Sequence, residues 1–149
     1  MNYKILCVFP EDRCLGPLVA AHLRREAPQH WIRSAALEGL EQVPAHPNAM
    51  LVGVSQGLDL WGERSREADE SLCDWADCIL VWSADDLERL QQRLPGAGHK
   101  LLPLDPDGLL VPWTCTCDEV ELRARLPSIE NLAVYWSQQL YAISAPASD

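Results

Sequence analysis

The fold is decided by residues 4–24, which read KILCVFPEDRCLGPLVAAHLR. After Lys4, the next five residues are apolar and rich in strand formers, which is typical of a buried parallel strand. A short polar loop follows, and Pro17 opens a segment with helical apolar spacing. A strand, a short loop and a helix N-terminus in this order form the layout of a phosphate-binding loop in an α/β domain.

The loop in this stretch lacks the groups that hold an anion. Pro10 has no backbone N–H to donate, and the carboxylates of Glu11 and Asp12 would repel a phosphate. The sequence therefore predicts the scaffold of a phosphate site without the site itself.

Strands and helices alternate along the rest of the chain. The pattern predicts strands at residues 3–9, 31–35, 78–82 and 100–104. It predicts helices at residues 17–25, 47–56, 83–94 and 116–141, and a turn leading into a helix within 57–73. This alternation indicates a three-layer α/β/α fold with four parallel strands, in which ligands bind at the carboxyl ends of the strands. We expect a single domain over residues 1–143 and a frayed tail over 144–149.

The charge and the apolar content of the sequence restrict which partners the protein is expected to bind. The 149 residues carry a net charge of −10, with 22 acidic against 12 basic residues, which disfavours binding to nucleic acid or to an anionic membrane surface. No apolar run is long enough to span a bilayer, and the first residues lack a signal-peptide layout, so we expect a cytoplasmic protein. We expect an unidentified protein partner, with the acidic surface around Asp85 and Asp86 as its first candidate contact, and we leave a homodimer open.

Six cysteines and four histidines supply the sulfur and imidazole groups of the chain. Cys7 and Cys78 lie in predicted strands, where a cysteine is usually a small buried apolar residue. The later cysteines are spaced too irregularly for a zinc signature and no histidine pair accompanies them. We therefore expect no metal and no cofactor, and we place the scattered histidines on the surface.

Further segments carry a resemblance to a known family. Residues 57–66 (GLDLWGERSR), 76–82 (ADCILVW) and 111–113 (VPW) follow the opening stretch in order and at matching spacing. Together they resemble the low-molecular-weight protein tyrosine phosphatases, especially the bacterial ones tied to exopolysaccharide export. The resemblance covers almost the whole chain and implies the phosphotyrosine phosphatase I-like fold.

The resemblance also implies a specific chemistry. In the family a cysteine thiolate attacks phosphorus, an arginine clamps the phosphate oxygens and an aspartate protonates the leaving group. At the matching positions this sequence has other residues. Phe9 stands at the position of the nucleophile, Leu15 at that of the arginine, Gly16 at that of the hydroxyl residue, Trp113 at that of the acid and Asp12 at that of a loop asparagine. Only the family's second loop cysteine is retained, as Cys14.

These replacements predict a catalytically inactive member of the family. Losing one hydrogen-bond donor to the charge that develops in the transition state typically raises the activation free energy by about 3–4 kcal/mol. Losing the nucleophile removes the covalent route. We expect Phe9, Leu15 and Trp113 to converge as an apolar plug, with Trp61 and Trp82 at the pocket rim. The sequence thus predicts a pseudophosphatase, a binding or regulatory module and not an enzyme, in a polysaccharide or tyrosine-kinase system.

Two alternative functions remain open at this point. Residues 7–13 spell Cys-x5-Arg, so an active tyrosine phosphatase could use Cys7 as nucleophile and Arg13 as clamp in a loop shifted by two residues. A thiol redox protein, related to the arsenate-reductase branch, could instead pair Cys14 with a second sulfur. The candidate second sulfurs are those of Cys73, Cys78, Cys115 and Cys117. Two sulfurs within bridging distance would favour the redox alternative.

Overall fold

A computed structural model describes residues 2–39, 41–108 and 117–144. The strands are β1 (Lys4–Phe9), β2 (Trp31–Ala36), β3 (Cys78–Val81) and β4 (Leu101–Pro103). The helices are α1 (Leu15–Glu26), α2 (Pro47–Ser55), α3 (Glu70–Trp75), α4 (Ala84–Arg93) and α5 (Glu119–Ser144), and a 3-10 helix spans Pro95–Lys100. The strands form one parallel sheet in the order β2-β1-β3-β4, which confirms the predicted fold class.

β1 occupies the centre of the sheet and positions the candidate site. It pairs with β2 along its whole length and with β3 from Ile5 to Val8. With neighbours on both edges and helices on both faces, β1 is buried from Ile5 to Phe9. The loop after Phe9 consequently emerges beside the carboxyl end of β3.

Two apolar layers cover the two faces of the sheet. Ile5, Cys7 and Phe9 pack with α1 and α5, whereas Leu6 and Val8 pack on the opposite side with residues of α3 and α4. Apolar residues of the last helix recur at helical spacing, which predicts a core face, and all of them are buried: Leu122, Leu126, Ile129, Ala133, Trp136 and Leu140. The Trp136 Nε1–H also donates to the Leu104 carbonyl at 2.6 Å, which ties α5 to the end of β4.

Two helix boundaries differ from the sequence prediction. α1 begins at Leu15, with Cys14 as its N-cap, so Pro17 lies inside the first turn, where its missing N–H has no helical partner to lose. The segment predicted as a turn and helix over 57–73 is helical only from Glu70, where the Asp69 carboxylate accepts from the Leu72 N–H at 2.8 Å. Thr116, where the last helix is predicted to begin, and the tail 145–149 lie outside the described residues.

Two histidines contradict their predicted surface position. His22 on α1 and His30 before β2 are both buried. The His30 Nδ1 accepts from the Tyr3 N–H at 3.0 Å and its ring stacks on Tyr3. Burial lowers the pKa of His22 to about 4. Within the ranges that the structure describes, no helix is long and apolar enough to cross a membrane.

Candidate functional site

The carboxyl end of β1 opens onto a pocket with an apolar floor. Phe9 is fully buried, and its ring centroid lies 6.1 Å from that of Trp82, which follows β3. Leu15, the first residue of α1, completes the floor of a cavity of about 780 Å³. The pocket therefore stands where ligands bind in parallel α/β sheets.

The mouth of this pocket is acidic. Glu11 lines it from the loop after β1, and α4 contributes Asp85, Asp86 and Glu88. The one guanidinium among the lining residues belongs to Arg89, which pairs with the Glu38 carboxylate at 2.6 Å. Four carboxylates against one guanidinium favour a cationic over an anionic group in the mouth.

The apolar residues predicted at the pocket separate into three groups. Phe9, Leu15 and Trp82 lie together, as described above. Trp61 was predicted at the pocket rim, but it does not line this pocket and its side chain is 75% exposed. Trp61 lies in a turn, in which the Asp59 carboxylate accepts from the Trp61 N–H at 2.9 Å. Trp113 lies outside the described residues, so its convergence with Phe9 and Leu15 stays a prediction.

Asp12 folds back beneath the start of α1. Its Oδ2 accepts from the Arg66 N–H at 3.3 Å, while its buried Oδ1 has no hydrogen-bond partner among the described residues. Burial raises the pKa of this carboxyl to about 7, although interactions with the Ser34 side chain and the Arg66 N–H lower it. A Cβ at Gly16 would lie 2.6 Å from Asp12 Oδ1 and 3.1 Å from Phe9 Cδ2, so an alanine here would have to displace the Asp12 carboxyl or the Phe9 ring.

Cys7 and Arg13 do not form an anion loop in this conformation. Cys7 lies within β1 and is fully buried, and burial raises the pKa of its thiol to about 12. Val8 and Phe9, which a shifted loop would need, remain paired in the sheet. The Arg13 Nε donates to the Pro44 carbonyl at 3.4 Å.

A sulfur and imidazole cluster lies at the start of α1. Cys14 and Cys117 are joined in a disulfide, with Cα atoms 5.7 Å apart, inside the usual range of about 4.4–6.8 Å. A ring nitrogen of His46 and the two sulfurs all lie within 4.8 Å of one another. The sequence named Cys117 among four candidate partners of Cys14, and it missed His46, whose only signal was its place before Pro47 at a helix start.

Two further described cysteines, Cys73 and Cys78, are not part of this cluster. Cys73 is buried and Cys78 is half-buried, and both are free thiols. Burial raises the thiol pKa of each, in the case of Cys78 to about 11. Cys115 lies outside the described residues.

Sequence comparisons place the chain beside bacterial phosphatases, although no family model matches it. It is 33% identical over 95 residues to the probable low-molecular-weight protein-tyrosine-phosphatase EpsP of Ralstonia solanacearum, a match that spans 64% of this chain and 66% of that protein. It is 30% identical over 105 residues to the phosphatase Ptp of Acinetobacter johnsonii, spanning 70% and 74%. Against Wzb of Escherichia coli K12, identity is 27% with 95% and 96% of the chains covered.

Solved structures share the fold. Vibrio vulnificus Wzb in complex with benzylphosphonate matches with a TM-score of 0.84 and 23% identity, over 92% of this chain and 98% of that one. The YwlE arginine phosphatase of Geobacillus stearothermophilus matches with a TM-score of 0.82 and 21% identity, over 99% of both chains.

These findings overturn one prediction and establish another. The prediction that the chain is not an enzyme is wrong, because the curated relatives that it matches are named as phosphatases and its fold is theirs. That prediction gave more weight to the replaced residues at the family's catalytic positions, among them Phe9 and Leu15, than to the Cys-x5-Arg spacing of Cys7 and Arg13. The predicted family is confirmed: the chain belongs to the low-molecular-weight protein tyrosine phosphatases.

Proposed function

We propose that this chain is a protein tyrosine phosphatase that acts in a bacterial exopolysaccharide or tyrosine-kinase system. The observation that carries the proposal is its similarity to EpsP, Ptp and Wzb, all named as phosphatases of this class. The end of β1 is where a parallel α/β sheet holds its ligand, but the acidic mouth of the pocket disfavours a phosphate, so the proposal requires the loop after β1 to rearrange and hold the anion itself.

A phosphatase of this class needs a thiolate nucleophile, and Cys7 is the residue with the family's Cys-x5-Arg spacing. For Cys7 to attack, Val8 and Phe9 must leave their pairing with β2 and the buried thiol, with its pKa of about 12, must ionise. Arg13, whose Nε donates to the Pro44 carbonyl at 3.4 Å, could then turn to clamp the phosphate. The active conformation is therefore a rearranged loop in this proposal.

Phosphate release from a phosphotyrosyl peptide tests the proposal. Reduced wild-type protein should turn the peptide over, Cys7→Ser should abolish turnover, and Arg13→Met should lower it by about 10²–10³-fold. Cys73→Ser, which removes a thiol remote from the loop, is the matched control and should stay active. No phosphate release from reduced wild-type protein would contradict the proposal. If Cys14→Ser lost turnover while Cys7→Ser retained it, the chain would still be a phosphatase, but Cys7 would not be its nucleophile.

A second candidate function, thiol–disulfide exchange, is favoured by the Cys14–Cys117 pair. Cys14 is the N-cap of α1, where the helix dipole favours a thiolate. An external dithiol would reduce the pair through a mixed disulfide, passing two electrons and two protons to Cys14 and Cys117 and leaving as a disulfide. Disulfides of cytosolic proteins are usually transient and catalytic or redox-sensing, which is the role proposed here.

The second candidate is tested by equilibrating the protein in buffers with a graded ratio of reduced to oxidised dithiothreitol. Alkylation and mass spectrometry should show Cys14 and Cys117 changing together, as one two-electron step, while Cys73 stays reduced. Cys117→Ser should abolish the step. A pair that never oxidises, or that no dithiol reduces in the folded protein, would contradict the exchange function.

A further inference from the structure

Three side chains at the start of α1 have metal-ligand chemistry that the phosphatase proposal does not use. Cys14, His46 and Cys117 each offer one ligand atom, and these atoms all lie within 4.8 Å of one another. Tetrahedral zinc, with ligands about 2.0–2.3 Å from the ion, needs ligand atoms roughly 3.3–3.8 Å apart. After reduction, the two sulfurs must move apart to reach that spacing, which side-chain rotation allows because the Cα atoms of Cys14 and Cys117 lie 5.7 Å apart.

We propose that the reduced protein binds Zn²⁺ through the Cys14 and Cys117 thiolates and the His46 imidazole. Two thiolates neutralise the charge of the ion, and two cysteines with one histidine form a known zinc ligand set that leaves a fourth position open. Binding releases the two thiol protons. Since Cys14 and Cys117 also form a disulfide, oxidation by an external disulfide withdraws two electrons from the sulfurs and ejects the ion.

Hydrogen bonds between the contributing segments hold the ligands in place. The His46 N–H donates to the Arg13 carbonyl at 2.8 Å, which fixes the start of α2 against the residue before Cys14. The Asn48 Nδ2 donates to the Cys117 carbonyl at 2.7 Å, which fixes the residues before α5 to the same turn. The site is therefore built across the starts of three helices and does not depend on one flexible loop.

Metal binding must also break a hydrogen bond that the His46 ring accepts. The Asn48 N–H donates to His46 Nδ1 at 3.1 Å, so the neutral ring carries its proton on Nε2. Coordination through Nδ1 would use the same lone pair, and coordination through Nε2 would move the proton to Nδ1. Either route breaks the bond to Asn48, so its amide should report zinc binding in an NMR spectrum.

The sequence predicted no metal because the ligands form no local motif. Zinc signatures place cysteines or histidines a few residues apart, whereas Cys14, His46 and Cys117 lie in distant parts of the chain. The parallel sheet and the packing of α5 against α1 and α2 bring them together. This is a property of the topology that residue spacing does not carry.

Cobalt titration of the reduced, desalted protein under argon tests the site. Wild-type protein should bind one equivalent of Co²⁺ with thiolate-to-cobalt absorption and tetrahedral bands, and Zn²⁺ should displace it. His46→Asn keeps a good helix N-cap while removing the imidazole, and it should weaken binding by about tenfold or more. Cys117→Ser should lose the bands, and Cys73→Ser, the control, should retain them.

Several results would overturn the site. They are no cobalt binding by reduced wild-type protein at micromolar concentrations, equal affinity in His46→Asn, or unchanged bands in Cys117→Ser. Equal binding by the oxidised wild-type protein, which needs no mutation and avoids any folding defect, would also overturn it. The cobalt spectrum does not depend on phosphate release, and disulfide formation proceeds without metal. Failure of this inference is thus distinguishable from failure of either proposed function.

Discussion

The end of β1 and the start of α1 are neighbours in the chain but are held by different forces. Cys7 and Phe9 at the strand end are fully buried between two strands and an apolar layer. The helix start instead contains the Cys14 disulfide, the buried Asp12 carboxyl and the close approach at Gly16. The strand end therefore contributes mainly packing, whereas the helix start holds groups that respond to redox state and pH.

Phe9→Ala should have the largest effect, because it removes the apolar anchor of the strand end. A fully buried phenylalanine truncated to alanine typically costs about 3–5 kcal/mol in the free energy of unfolding. Urea unfolding followed by circular dichroism measures the loss. Trp61→Ala, whose side chain is 75% exposed, is the control and should stay within about 0.5 kcal/mol. A cost under about 1 kcal/mol at Phe9 would show that packing does not hold this end.

Cys117→Ser should lower the free energy of unfolding by removing the disulfide at the helix start, and it should do so only under oxidising conditions. The disulfide closes a segment with a sequence separation of 103, and such bridges typically contribute about 2–4 kcal/mol. The oxidised wild-type protein should therefore exceed the variant by this amount in urea unfolding. With a reductant present, the two proteins should agree. An equal difference in both conditions would assign the effect to the side chain and not to the bridge.

Asp12→Asn should remove a pH dependence from the helix start. The folded pKa of about 7 exceeds the ordinary value of 3.8, so between these pH values the native state holds a proton that the unfolded state has lost. Stability contributed by Asp12 consequently falls as pH rises from about 4 to about 7. Relative to wild type, the variant should gain about 2 kcal/mol between pH 5 and pH 7.5.

The contribution of His22 to stability changes with pH in the opposite direction, and it cancels when wild type and Asp12→Asn are compared. Its folded pKa of about 4 lies below the ordinary 6.5, so its contribution to stability rises with pH over that interval. Both proteins carry His22, and the difference between their unfolding free energies isolates Asp12. A constant difference from pH 5 to pH 8 would mean that this carboxyl keeps an ordinary pKa.

The contrast between the two regions also explains what the sequence could predict. The strand end was predictable because a continuous apolar run specifies a buried strand, and the core face of α5 followed from helical spacing in the same way. The partner of Cys14 and the proximity of His46 were not predictable, because the topology of the fold, and not residue spacing, brings these residues together. The burial of His22 was missed for a related reason, since an isolated polar residue gives no periodic signal.

Gly16→Ala should have the smallest effect, and its sign tests the close approach. Alanine favours a helix over glycine by up to about 1 kcal/mol, but overpacking against Asp12 Oδ1 at 2.6 Å costs about 1–3 kcal/mol. We expect a net loss of about 1 kcal/mol in urea unfolding, whereas Gly62→Ala, with nothing within 4 Å, should be nearly neutral. In an Asp12→Ala background the carboxylate is gone, so the loss should vanish, giving a coupling energy of about 1 kcal/mol. The same loss in both backgrounds would instead assign the restriction to the Phe9 ring, and the packing of the strand end would then extend into the helix start.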